Sequence, residues 1–288
     1  MKKIMFFVFA LSAIVLTSAC SSASDDEMFA QAEQPAVDEY VTISFSPYFV
    51  EAMTRGAGDK AVSEVCDRLD IWISDGETTT EYHQQKTDTG FGSLSVQLNK
   101  TKTYTLYAVG HKSPSAVTMS SNLISFADNL VFDAFYCKKV FTPSASLECQ
   151  LTRFVGQFSL WITDAIPEET VKMHFIISAS NTQWNVSTGV GATPLVRTRD
   201  FTSWSSLGDG STMFNINVIP DNLTDITTVD ITVQALDEND DIIEERSFAD
   251  VNIKASYRSI YKGTFFITTD MAYSFVLNDS WTQDVTNF

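Results

Sequence analysis

The sequence predicts an all-β protein of two tandem β-sandwich domains, and three observations carry that prediction. Apolar and polar residues alternate over much of the chain, as in Val41-Thr-Ile-Ser-Phe45 and Leu94-Ser-Val-Gln-Leu98, which puts successive side chains on opposite faces of a strand. Turn-forming residues such as Asp75-Gly76 and Asn99-Lys-Thr-Lys102 separate these runs. Finally, Gln157-Phe-Ser-Leu-Trp-Ile-Thr-Asp164 matches Arg68-Leu-Asp-Ile-Trp-Ile-Ser-Asp75 in pattern, with Trp161 lying 161 − 72 = 89 residues after Trp72. That interval exceeds the roughly 20–50 residues of a solenoid repeat and suits a repeated domain.

Taken in order, residues 1–19 form an export signal. Lys2 and Lys3 precede the apolar run Ile4–Leu16, which is too short to span a bilayer. Thr17-Ser-Ala-Cys20 resembles the bacterial lipobox, although Leu16 sits one place earlier than the usual aliphatic residue; the resemblance implies that Cys20 becomes a lipidated N-terminus. Residues 20–39 read as a flexible acidic tether. Within it, Ser24, Asp25, Asp26 and Glu27 resemble the export signal that carries Bacteroidota lipoproteins to the outer face of the outer membrane.

The first domain, 40–146, opens with the strand around Val41, Ile43 and Phe45. The glycine-broken loop Met53–Gly58 leads to the half-buried strand of Trp72, and Thr79–Lys86 is a polar edge strand. The Leu94 and Tyr104 strands follow. Ser113–Phe141 has no single period and holds either a short helix around Ser121–Asn129 or a crossover loop. The second domain, 147–288, begins with Leu147, Cys149 and Leu151 and continues through the Trp161 strand and Val171–Ile177. Ser178–Gly210 then reads as a long polar loop of the kind that often carries function. The strands of Phe214 and Val229 match those of Leu94 and Tyr104 at an offset of 214 − 94 = 120, so the second copy carries an insertion relative to the Trp repeat. Ile242–Phe248, Tyr257–Ile267 and Tyr273–Leu277 close the sheet.

The chemistry-bearing residues are sparse. With 36 acidic against 19 basic residues the net charge is −17, which disfavours nucleic acid or an anionic membrane surface held by counterion release. His83, His111 and His174 show no metal spacing, and no nucleophile elbow or phosphate loop occurs. A carboxylate pair of the glycosidase type is defined in space and cannot be read from the sequence. No catalytic, cofactor or metal residue is assigned. Asp237-Glu-Asn-Asp-Asp241 resembles the opening of a calcium loop, but Ile242 replaces the required glycine and Phe248 the closing acid, so a solvated hairpin turn is favoured. Beyond Cys20 the cysteines are Cys66, Cys137 and Cys149; Cys137 and Cys149 flank a turn and could pair, and three buried thiols fit equally well.

The Cys20 signal, Met53-Thr-Arg-Gly56, Leu151-Thr-Arg153 leading into Phe158-Ser-Leu-Trp-Ile162, Tyr257-Arg-Ser-Ile-Tyr-Lys-Gly-Thr-Phe-Phe266 and Phe275 through Trp281 together resemble the fimbrillins and fimbrial anchor lipoproteins of Bacteroidales type V fimbriae. The resemblance implies two transthyretin-like β-sandwiches in a non-enzymatic lipoprotein. It would be held in the outer membrane by its N-terminal lipid, surface-exposed, and joined to other fimbrial subunits by β-strand addition. It also implies Arg55 as the position at which an arginine-specific protease would cut a stalk subunit. The alternative is a surface glycan-binding lipoprotein in which Trp184 and Trp204, in the long polar insertion, stack on sugars.

Overall fold

The computed structural model describes residues 38–48, 61–266 and 274–278. The first half contains β1 (Asp38–Tyr48), a single-turn helix α1 (Val62–Val65), β2 (Arg68–Ser74), β3 (Thr79–Gln85), β4 (Ser93–Asn99), β5 (Tyr104–His111), β6 (Thr118–Ser120), β7 (Leu123–Ser125), β8 (Ala134–Phe141) and β9 (Ser146–Arg153). The second contains β10 (Gly156–Ile162), β11 (Lys172–Asn185), β12 (Val190–Phe201), β13 (Thr212–Val218), β14 (Thr227–Leu236), β15 (Ile242–Ile253), β16 (Arg258–Gly263) and β17 (Ser274–Asn278). The all-β expectation holds.

One sheet, in the order β3-β2-β5-β8-β9-β1-β4, wraps around a core to which β1, β2, β5, β8 and β9 all contribute. β9 belongs to this sheet, and the next sheet begins with β10 after Arg153. In the second half, the sheet β13-β10-β16-β17 shares a core with the β15-β14-β11 sheet, from which β12 branches off β11.

The internal repeat is real, but its register is not the one that the Trp pattern suggests. β10 lies between antiparallel β13 and parallel β16, just as β1 lies between antiparallel β4 and parallel β9. β2 is instead flanked by antiparallel β3 and β5, and its counterpart is β11, flanked by β12 and β14. The β4–β13 and β5–β14 correspondences stand, and no large insertion separates them from the β1–β10 pair. The Trp72 and Trp161 strands look alike because both are buried on both faces, not because they occupy equivalent positions.

Burial on both faces also corrects the half-buried reading of β2. Leu69, Ile71 and Ile73 enter the first core, whereas Trp72 enters a third cluster with Tyr107, Val109, Ile124, Phe154 and Trp184. The segment 113–141 supplies part of the cover for that face. β6 and β7 form a hairpin whose two turn residues, Ser121 and Asn122, both have positive φ, the type I′ geometry that matches strand twist. A single 3-10 turn at Ala127–Asn129 follows, so the helix considered for Ser121–Asn129 shrinks to that turn.

The long polar loop expected at Ser178–Gly210 is largely sheet. β11 continues beyond Ile177 through an irregularity, where Ala179 has φ 34, and pairs with β12 out to Asn185↔Val190. The distal part of this ribbon carries β7 on its other edge, with Trp184 opposite Ile124. A hairpin of the first half thus extends a sheet of the second. Its polar residues mislead because Ser180, Asn181 and Thr182 are buried in a strand that carries no apolar alternation.

Candidate functional site

Strand β1 is paired along both of its edges. Its seven antiparallel pairs to β4 run from Asp38↔Asn99 to Ser44↔Ser93, and its seven parallel pairs to β9 run from Thr42↔Ser146 to Tyr48↔Thr152. Val41 and Ile43 are fully buried and Phe45 nearly so, while Tyr40 is 69% exposed, so the alternation read from the sequence sets the inward face. Burying three such side chains is worth on the order of 5–8 kcal/mol. That is comparable with the whole stability of an ordinary domain. If β1 left, β4 and β9 would face each other across a slot with unpaired backbone groups on both sides and an apolar floor, which is a template for another strand. A replacement would have to run antiparallel to β4, parallel to β9, and carry apolar residues at every second position.

The chain leaves β1 through residues 49–60, outside the described residues, and Arg55 lies there. Cys20 and the Ser24–Glu27 cluster also lie outside them, as do the residues after Asn278 that follow the edge strand β17. β17 itself pairs antiparallel with β16, Arg258 opposite Asn278, at the end of its sheet.

Nearby, Cys137 on β8 and Cys149 on β9 form a disulfide with a Cα–Cα distance of 6.4 Å. The β8–β9 ladder is only two pairs long, so the bridge holds the strands together where hydrogen bonding has ended. Cys66 is a buried thiol, and burial pushes its pKa up to about 12, which leaves essentially no thiolate at neutral pH.

The histidines resolve into packing and hydrogen-bonding roles. Asp70, fully buried on the second face of β2, accepts from His111 Nε2 at 2.8 Å, from His83 Nδ1 at 2.8 Å and from the Val117 backbone N–H at 2.7 Å. His111 Nδ1 accepts the Ser113 N–H, which leaves Nε2 as the ring nitrogen that donates to Asp70. Burial by itself would raise the Asp70 pKa; the hydrogen bonds from His111, His83 and Val117 outweigh it and hold the carboxyl below its ordinary 3.8. His174 lies beside Asp200 near the surface. At Asp237–Asp241, Asp237 Oδ1 accepts from the N–H groups of Asn239 and Asp241, and the segment is the turn of the β14–β15 hairpin. Among the described residues no three His, Cys, Asp or Glu side chains converge as a metal would need.

The two tryptophans offered as sugar contacts do not form a platform. Trp184 is fully buried, stacked on Phe154 at 5.0 Å and edge-on to Tyr136 at 5.3 Å, so it presents no face to solvent. Trp204 is half-buried against Phe214. Instead, Trp184 locks the ribbon tip onto the first half. Lys138 Nζ donates to the Ser187 carbonyl at 2.8 Å beside it, and Gln183 donates to Ser125 Oγ at 2.6 Å. The ion pair Arg153–Asp133, at 2.8 and 3.1 Å, lies at the end of β9 in the same region.

No family model matches the chain, and no curated protein matches it. Solved structures do. A protein from Bacteroides thetaiotaomicron, provisionally named as polysaccharide-binding, superposes with a TM-score of 0.54 at 10% identity, over 86% of this chain and 98% of its own. A provisionally named cell adhesion protein from Bacteroides ovatus gives 0.51 at 14% identity, over 86% and 100%. The fimbrial anchor protein Mfa2 of Porphyromonas gingivalis superposes more loosely, with a TM-score of 0.42 at 12% identity, over 84% and 98%. The first two likenesses establish a shared fold.

Proposed function

We propose that the chain is a structural, non-enzymatic lipoprotein of the cell surface, an anchor or minor subunit of a fimbria built by strand addition. In this reading Cys20 carries lipid into the outer membrane, Ser24, Asp25, Asp26 and Glu27 direct surface export, and two tandem β-sandwiches meet just after Arg153. The observation that carries it is the position of β1. It is a strand early in the chain, hydrogen-bonded on both edges, followed within a few residues by Arg55. Cutting after Arg55 would leave β1 held by non-covalent contacts alone and free the body of the protein from its lipid. An anchor needs to keep that tether, so the mature anchor retains residues 20–55. The fold shared with the provisionally named adhesion protein of B. ovatus fits this setting.

The test is N-terminal sequencing of the protein recovered from assembled surface material, together with identification of the proteins that co-purify with it from outer membranes. A start at Cys20 is expected; a start at Gly56 moves the protein from anchor to stalk. Cys20→Ala is expected to abolish lipid labelling, and Ala at Asp25, Asp26 and Glu27 to keep the lipid while reducing access to external protease. The glycan-binding reading, which the name of the B. thetaiotaomicron protein would suggest, loses Trp184 and rests on Trp204 alone.

A further inference from the structure

Two arginines are buried among the described residues, and they are compensated differently. Arg153 faces Asp133 in a two-bonded ion pair. Arg197, on β12, meets only neutral acceptors: its Nε donates to Ser180 Oγ at 2.7 Å, and its two terminal nitrogens donate to the carbonyls of Asn129 and Asn217 at 3.4 and 3.3 Å. No carboxylate forms an ion pair with it among the described residues. Burial accordingly pulls its pKa down to about 10, and it stays charged at neutral pH. A guanidinium has five N–H groups, so each terminal nitrogen retains one proton after these bonds. A buried cation without a counter-charge is costly, and such sites normally acquire an anion.

A cleft of about 70 Å³ opens beside it, lined by Arg197, Arg199, Asn215 and Asn217 together with the segment Leu130–Phe132. None of its lining residues is acidic. Arg199 is two residues along β12 and therefore on the same face. It is half-buried over the Phe201 ring at 5.5 Å and makes no side-chain hydrogen bond or ion pair among the described residues. Two guanidinium groups thus flank one small cleft in a protein of net charge −17. The cleft has room for one oxyanion against the two guanidinium groups.

We propose that Arg197 and Arg199 form a binding site for a single carboxylate, presented at the cleft mouth by an acidic ligand whose remainder lies outside. The flat fork of a guanidinium matches a planar carboxylate better than a tetrahedral anion. The site draws on β12 and β13 of the second half and on Leu130–Phe132 of the first, and it does not depend on strand addition or on the lipid.

The experiment follows the side-chain Nε–H resonances of the arginines in the ¹⁵N-labelled full chain during titration with sodium acetate, with sodium sulfate and sodium chloride at matched ionic strength as the other arms. A saturable shift of the Arg197 signal by acetate is expected, with a Kd on the order of 1 mM, and none by chloride. Arg199→Gln is expected to weaken acetate binding at least tenfold while leaving the melting temperature unchanged. Arg197→Lys, which keeps the charge and loses the fork, is expected to weaken it as much. If Arg197→Lys fails to fold, Arg199→Gln alone decides. Absence of a saturable acetate shift, or acetate binding by Arg199→Gln equal to that of the wild type, overturns the site and leaves Arg197 as a structural hub. Tighter binding of sulfate than of acetate overturns the assignment to a carboxylate.

Discussion

Replacing Trp184 separates the two roles proposed for the ribbon. Trp184 is fully buried and stacks on Phe154 at 5.0 Å, in a cluster that draws residues from β2, β5, β7 and β11. Truncation to Ala removes the whole ring from this cluster, and substitutions of that kind cost about 3–5 kcal/mol. Its indole N–H is buried without a hydrogen-bond partner among the described residues, which already costs roughly 1–3 kcal/mol in the wild type. Trp184→Phe loses ring volume but also removes that unpaired donor, so the two effects offset. The expected losses are therefore about 3–4 kcal/mol for Ala and under about 1.5 kcal/mol for Phe. Urea unfolding of the purified chain, followed by far-UV circular dichroism, measures both. A Trp184→Ala variant within about 0.5 kcal/mol of the wild type would mean that the side chain is not packed between the halves. Equal losses for Ala and Phe would refute the offset argument. Glycan binding lost in Trp184→Ala at unchanged stability would restore the sugar-contact reading.

Gly191→Ala is expected to destabilise the ribbon by about 1–3 kcal/mol, because a Cβ there collides with the Asn181 side-chain amide and the Pro220 carbonyl oxygen; a melting temperature equal to the wild type would show that the ribbon shifts freely. Reducing the Cys137–Cys149 bridge, which closes a separation of 12 residues, should cost about 3 kcal/mol, seen as a lower urea midpoint, whereas Cys66 should resist alkylation until the protein unfolds. Asp70 has a folded-state pKa below its unfolded value near 3.8, so its stabilisation is fully present above that pH and is lost as pH falls below it. Asp70→Asn should destabilise the first half at pH 7 and flatten the acid limb of the stability profile below about pH 4. His83, His111 and Glu81 are the titratable groups around Asp70, so the wild type and the Asp70→Asn variant are compared over the same range, about pH 2 to 5. An acid limb as steep as in the wild type would assign it to other carboxylates.

The features legible from residue order are local. Alternation marked most strands and told which face of β1 points inward, since Val41, Ile43 and Phe45 can be buried together only if Thr42 and Ser44 face out. Turn residues marked the hairpin at Asp237–Asp241, where one carboxylate side chain satisfies the backbone of its own turn. What only the tertiary structure decided involves partners distant in sequence. Whether the Trp72 strand is buried on one face or two depends on β7 and the ribbon tip arriving from elsewhere, and that burial is what turns Asp70 into a site needing His83 and His111. The polar run Ser178–Gly210 reads as loop because its residues carry no apolar period; it becomes sheet by pairing with β7 and with its own return. Trp184 and Arg197 were invisible as a lock and a cleft wall for the same reason. Burial and charge compensation are properties of the space around a side chain, and the partners of Arg197 come from 17 to 68 positions away.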